Sequence, residues 1–313
     1  MGKKKFTGVS QFLARFRGWI QAGAALLTNL HLPNFLKGRL YQGAGKTVCV
    51  PGLNCYSCPA ASGACPIGAF QAVVGSSKFS FSYYITGILI LLGVLLGRFI
   101  CGFLCPFGWF QELLHKIPSR KLSTRKLKPL RYLKYAILLV MVFLLPAFLV
   151  NDVGMGDPFF CKYLCPQGVL EGAIPLSLAN SGIRAALGSL FTWKLGILLV
   201  VIVLSVLFYR PFCKWICPLG AFYALLNKVS LVQMKVDQSK CISCGKCARA
   251  CKMDVDVTKS PNHTECIRCG MCVRACPTNA VHFRCGFGTG KQGTVLPEKT
   301  NKQMNDIVKE KKS

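Results

Sequence analysis

Eight cysteines crowd into one short stretch: Cys241, Cys244, Cys247, Cys251, Cys266, Cys269, Cys272 and Cys276. Their spacing is C-x2-C-x2-C-x3-C, written twice, with Pro277 after the last. Two-residue gaps wrap three thiolates around one corner of an iron–sulfur cube, and the fourth ligand must come from elsewhere. The runs therefore cross. One 4Fe-4S set takes Cys241, Cys244, Cys247 and Cys276, and the other Cys266, Cys269, Cys272 and Cys251. Four-cysteine zinc sites also use C-x2-C pairs, but two complete four-cysteine runs speak for cubes. Disulfides fit less well still, because eight thiols this close would pair promiscuously. One departure is that Lys252, not proline, follows Cys251.

The remaining cysteines follow a duplication. "CGFLCPFGWFQELLHKI" at 101–117 aligns with "CKWICPLGAFYALLNKV" at 213–229, with eight of seventeen positions identical and Arg98 matching Arg210 at the same offset. A second pair recurs as "CPIGAFQAVV" at 65–74 and "CPQGVLEGAI" at 165–174. Each proline suits the first position of a helix, whose free N–H groups and dipole would face an anionic cluster. Cys101, Cys105, Cys213 and Cys217 supply four thiolates for an inner cube. A C-x3-C pair alone would read as two buried core thiols; two matching pairs beside a ferredoxin module do not. For an outer cube the spacing favours Cys161 and Cys165, then Cys65 and Cys58, with disulfides as the alternative. That leaves Cys49 and Cys55 to pair with each other, and Cys285 as an ordinary buried thiol. Four cubes thus use sixteen of 19 cysteines.

The elements that position these motifs are apolar. The 313 residues are 52% hydrophobic and 16% charged, with mean hydropathy +0.42 and formal net charge +28. A membrane protein with basic loops combines these values. Nucleic-acid binding is set aside, because the charge sits beside apolar spans rather than on one soluble face. Four uncharged stretches, 18–36, 79–97, 135–151 and 195–209, predict membrane helices. Pro146 predicts a kink in the third. The first reads as a retained anchor, since no small-residue cleavage site follows it. The loop 116–134 and the N-terminal arm are rich in Lys and Arg, which puts both termini and the ferredoxin segment in the cytoplasm. Cys101, Cys105, Cys213 and Cys217 then lie at the cytoplasmic face, and Cys58, Cys65, Cys161 and Cys165 on the opposite side or dipping into it.

The fold class expected is mainly α: a duplicated transmembrane helical unit of about four membrane helices, then a small α+β two-cluster ferredoxin-like domain. Its parts are a basic arm and first helix (1–40), the duplicated unit (41–230), the ferredoxin domain (231–285) and a disordered basic tail (286–313). "YQGAGKTV" at 41–48 imitates a phosphate loop, but Leu40 stands where that motif needs glycine. His31, His115, His263 and His282 show no paired spacing for haem or zinc; His31 and His115 are candidates for quinone hydrogen bonds.

C-x3-C-P motifs after membrane helices, followed by two ferredoxin runs, resemble the membrane polyferredoxins of the NapH and NosR types over about residues 13–285. This resemblance implies an integral inner-membrane iron–sulfur carrier. It would relay electrons between a cytoplasmic donor or the quinone pool and a redox partner, as a subunit of an oxidoreductase system rather than as a stand-alone enzyme. The stretch "VCVPGLNCYSCPAASGACPIGAF" at 48–70 is an addition the nitrate-type members need not have. Two other roles fit related motifs: a maturation factor that reduces metal during assembly of another enzyme, or a redox sensor. The basic excess in 236–285 points to an acidic soluble donor such as a ferredoxin or flavodoxin.

Overall fold

The computed structural model describes residues 2–76, 83–151 and 155–286, with side chains from residue 8 onward. Residues 79–82 of the second predicted span and nearly all of the predicted tail lie outside the described residues.

The architecture is mainly helical, with one two-stranded sheet near the C-terminus. Helix α1 (Gly2–Thr28) opens the chain. The duplicated unit follows: α2 (Pro66–Gly75), α3 (Tyr83–Leu95), α4 (Pro106–His115), α5 (Arg125–Phe148), α6 (Gly168–Ala179), α7 (Ser189–Leu207) and α8 (Pro218–Leu226). The ferredoxin module comprises β1 (Val232–Val236), α9 (Lys246–Ala250), α10 (Met271–Ala275) and β2 (Val281–Cys285). The strands pair antiparallel, with Met234 opposite Phe283.

Two described helices, α5 and α7, are long and apolar enough to cross a membrane. Leu199, Val200 and Val203 are exposed on α7, as a lipid-facing surface would be. α5 starts earlier than its apolar run, with a 3-10 segment over the basic residues Arg125–Tyr132 and a π-turn over Leu138–Leu144. Over the second predicted span, the described helix is α3.

The first predicted span, 18–36, does not form one helix. α1 ends at Thr28, where the Asn29 side chain turns back onto the Ala25 carbonyl and Pro33 soon follows. Its N-terminal half instead packs on the ferredoxin module. The Ser10 hydroxyl accepts from Phe283 N–H at 3.0 Å, and Ala14 lies against Gly270. Gln21, also buried, donates to the Gly102 carbonyl at 2.9 Å. α1 thereby brackets the ferredoxin module against the duplicated unit.

The cysteine-proline helices start as the sequence suggests. Cys65, Cys105 and Cys217 are extended N-cap residues, each followed by proline in the first turn. The end of α3 shows why glycine stands there. Gly97 has φ +55, and a Cβ would come within 3 Å of Arg268 Nη1, Asn227 Oδ1 and Ser230 Oγ. Through that gap the buried Arg268 of the ferredoxin module donates to the Leu96 carbonyl at 2.9 Å and to the Asn227 carbonyl at 2.6 Å.

Candidate iron–sulfur sites

The two ferredoxin runs fold alike. Ser243 and Gly245 take positive φ in the first run, and Arg268 and Gly270 at the matching positions of the second. Asp254 and Asn279, each three residues after a fourth cysteine, do the same. These reversals turn the thiols of each run inward. One cleft is lined by Cys241, Cys244, Cys247 and Cys276, and a second by Cys251, Cys266, Cys269 and Cys272. Each therefore draws three cysteines from one run and the fourth from the other. Backbone amides face the sulfurs: Ala280 N–H donates to Cys276 Sγ at 3.2 Å and Val255 N–H to Cys251 Sγ at 3.5 Å. Burial alone would raise the Cys276 thiol, but the Thr278 side chain and neighbouring amides outweigh it and bring it below its ordinary value.

The inner set converges from the two copies. Cys101, Cys105, Cys213 and Cys217 are all buried. Burial pushes the Cys105 thiol up to about 12, and neighbouring Cys213 and Cys101 add to it. Cys217 is raised by burial and then by Cys213, Cys101 and Cys105. The matched arginines cross over between copies. Arg98 donates to the Cys213 carbonyl at 3.4 Å, and Arg210 to the Cys101 carbonyl. Both guanidiniums are fully buried. Gly108 makes room for Arg210, since a Cβ there would lie 2.9 Å from its Nη1, and Gly220 lies beside Arg98 in ordinary contact.

The outer set converges too, with one exchange. Cys161 is raised by burial and then by Cys165, Cys65 and Cys55. Cys165 is pushed up to about 12 by burial, with Cys55 and Cys65 adding to it. Cys58, the fourth ligand expected from spacing, packs with Ala60 and Ala61 against Cys55, and its Sγ is 3.5 Å from Asn29 Oδ1. The two copies make the exchange symmetric. A Cβ on Gly68, after Cys65, would lie 3.8 Å from Cys161 Sγ, and one on Gly168, after Cys165, would lie 3.8 Å from Cys55 Sγ. Cys55 is thus the counterpart of Cys161, although it precedes Cys65 by ten residues rather than four. All 19 cysteines are free thiols, so Cys49 and Cys55 do not form the expected pair. Cys49 is buried and bridges to Ala64. Cys285, expected to be buried, is exposed at the end of β2.

The sets adjoin one another. A Cβ on Gly102 would collide with the Ile267 carbonyl, so the ferredoxin module seats directly on the inner motif. One hydrophobic core contains Cys65, Cys101, Cys105, Cys165, Cys217 and Cys269. The buried Glu265, next to Cys266, locks this seat. It accepts from Arg98 at 2.9 Å and from Lys134 at 2.6 Å. Burial would raise its carboxyl, but Arg98 and Lys134 hold it down to about 2. A second lock joins Glu112 to Arg17, Tyr209 and Arg210.

Two residues that motif reading passes over touch the sulfurs. Gln71 Nε2 donates to Cys161 Sγ at 3.1 Å, and Gln111 Nε2 to Cys213 Sγ at 3.1 Å. A signal for them exists in the sequence: both stand six residues after a cysteine-proline cysteine, in C-P-x-G-x-F-Q.

The donor set fits iron–sulfur cubes. Eight thiols line two clefts in fours and buried thiols of the duplicated unit lie near one another, with amides aimed at several of the sulfurs. Among the described residues no three Cys, His, Asp or Glu side chains converge closely enough to hold a single ion. In a cube each thiolate binds its own iron, which keeps the four apart.

Comparison with known proteins agrees. A family described as "4Fe-4S binding domain" matches residues 63–84, 80–125, 134–174 and 190–237, and a second family of the same description matches 234–255 and 260–282. The chain is 27% identical to the methylamine utilization ferredoxin-type protein MauN of Methylorubrum extorquens, over 61% of this chain and 56% of that protein. It is 27% identical to the putative electron transport protein YccM of Escherichia coli, over 54% and 45%. With the ferredoxin-type protein NapH of Haemophilus influenzae it shares 26% identity over 56% and 54%. The chain spans about half the length of these three relatives. No solved structure matches the chain. The chain is a polyferredoxin-type protein built from 4Fe-4S binding domains.

Proposed function

We propose that this chain is a multi-pass inner-membrane carrier with four 4Fe-4S sites, relaying electrons between a cytoplasmic donor or the quinone pool and a redox partner at or across the membrane. The observation that carries this reading is that cysteines of three sets share one hydrophobic core, while the crossed ferredoxin runs bring the fourth set alongside. A bound cube supplies one-electron exchange at a potential set by net charge, hydrogen bonds to its sulfurs and solvent exposure. Cys241, Cys244, Cys247 and Cys276 hold the outermost site of the ferredoxin module, and Cys251, Cys266, Cys269 and Cys272 the next. Cys101, Cys105, Cys213 and Cys217 hold the inner membrane site. Cys65, Cys161 and Cys165 hold the outer one, with Cys55 in the place first expected of Cys58.

Orientation rests on the basic loop 116–134. Its Arg131 pairs with Asp254 of the ferredoxin module at 3.3 Å, so loop and module share one side. The excess of Lys and Arg there argues that this side is cytoplasmic. The donor's docking surface is a cleft lined by His115, Lys121, Arg125, Arg249 and Lys252, with Cys251 in its wall. Such a rim suits an acidic soluble ferredoxin or flavodoxin.

The test uses sealed vesicles with a reductant inside and an impermeant acceptor outside. Cys165→Ala should leave the ferredoxin sites reducible but abolish outward electron flow. Flow equal to the parent's would restrict the chain to electron exchange at the inner face.

A further inference from the structure

We propose that Gln71 and Gln111 are paired potential-setting residues, each donating one N–H···S hydrogen bond from the first copy of the repeat to a ligand cysteine of the second. This rests on the four-site reading above and goes beyond it, because neither residue is a ligand.

The geometry is the same twice. Gln71 leaves α2 and Gln111 leaves α4 at the same offset from Cys65 and Cys105. Both side chains are fully buried. Gln71 Oε1 accepts from Phe160 N–H at 3.0 Å, and Gln111 Oε1 from Phe212 N–H at 3.2 Å. Those backbone donors fix which end of each amide is oxygen. Nε2 then has two hydrogens. One reaches the carbonyl four residues back, Ile67 or Phe107, at 3.3 Å in both cases. The other reaches the sulfur of the residue after that phenylalanine, Cys161 or Cys213, at 3.1 Å. Each amide is therefore saturated and held in one orientation.

The second copy lacks this device. The positions six residues after Cys165 and Cys217 are Glu171 and Tyr223. Glu171 accepts from Cys55 N–H at 3.0 Å, and the Tyr223 hydroxyl donates to the Pro51 carbonyl at 3.0 Å. Each membrane site thus has one glutamine donor, on one cysteine.

An N–H aimed at a ligand sulfur favours the state with more negative charge on that sulfur. Reduction adds one electron to the site, and the glutamine moves neither a proton nor a bond. Its dipole should hold the midpoint potential higher than the same cysteine set would have without it. In a dry core the effect is large, because no water competes for the sulfur.

The test is a redox titration of the intact, cluster-loaded protein, followed by electron paramagnetic resonance. Gln111→Leu removes the donor without adding charge. It should shift one of the four midpoints downward at unchanged iron content, and Gln71→Leu should shift a different one. Gln111→Glu keeps an acceptor for Phe212 N–H while losing the donor, so its midpoint should fall as well. If glutamine is labelled with nitrogen-15, a side-chain coupling to the reduced site should vanish in Gln111→Leu. Full iron with unmoved midpoints would overturn the proposal. Iron lost from both Gln111 variants would also overturn it, by making the residue a structural prop. A parent protein without membrane clusters would instead refute the four-site reading.

Discussion

Cys65 of the outer set and Cys105 of the inner set share one hydrophobic core, and Leu53 of the cysteine-rich addition is buried in that same core. The cysteine-rich addition at 48–70 thus folds inward and meets the inner motif. Tyr223 secures it through the Pro51 carbonyl.

This close approach is testable at Gly52. A Cβ there would lie 2.7 Å from Cys105 Cα and 3.0 Å from the Leu104 carbonyl. Gly52→Ala should destabilise the fold by about 1–3 kcal/mol, read as a lower denaturation midpoint. Magnetic coupling between the reduced inner and outer sites should weaken. Unchanged coupling would mean that the loop does not set their separation.

Ligand choice at the outer site separates two neighbouring thiols. Cys55→Ala should lower bound iron by about a quarter, because one cube of four is lost. Cys58→Ala should leave iron content near the parent's, since Cys58 packs against Ala60 and Ala61. Iron analysis of the two purified variants decides this, and the reverse pattern would return the site to Cys58.

The seat of the ferredoxin module depends on Glu265. Glu265→Gln would leave Arg98 and Lys134 buried without their carboxylate. Breaking such a pair costs about 3–5 kcal/mol. Hydrogen exchange should show the amides around Cys266–Cys269 losing protection first. Protection equal to the parent's would remove Glu265 from the lock.

Charge at the cleft should govern the donor's approach. Lys252→Glu with Arg249→Glu should slow reduction by an acidic ferredoxin about tenfold or more at low salt. The gap to the parent should close as ionic strength rises. Stopped-flow rates that ignore both salt and substitution would place docking elsewhere.

Much of this was legible from spacing. The ferredoxin runs set their own crossed ligand pattern, because C-x2-C-x2-C leaves only one way to complete each corner. The duplication announced the inner set, since Arg98 and Arg210 share an offset. Three features needed three dimensions. Cys55 and Cys58 both lie near the motif, and only the approach of Gly168 to Cys55 tells them apart. The first apolar stretch looked like a span, but Ser10, Ala14 and Gln21 lie buried on one face of α1 that fits the ferredoxin module and inner motif. The role of Glu265 leaves no signal in the sequence, because its partners Arg98 and Lys134 are more than a hundred residues away.

Four cysteine sets, three of them sharing one hydrophobic core, should hold four cubes. Iron and acid-labile sulfide per purified chain test this most directly. About sixteen of each per chain, with four separable one-electron midpoints, are expected. Eight irons or fewer, with only ferredoxin-type signals, would contradict it.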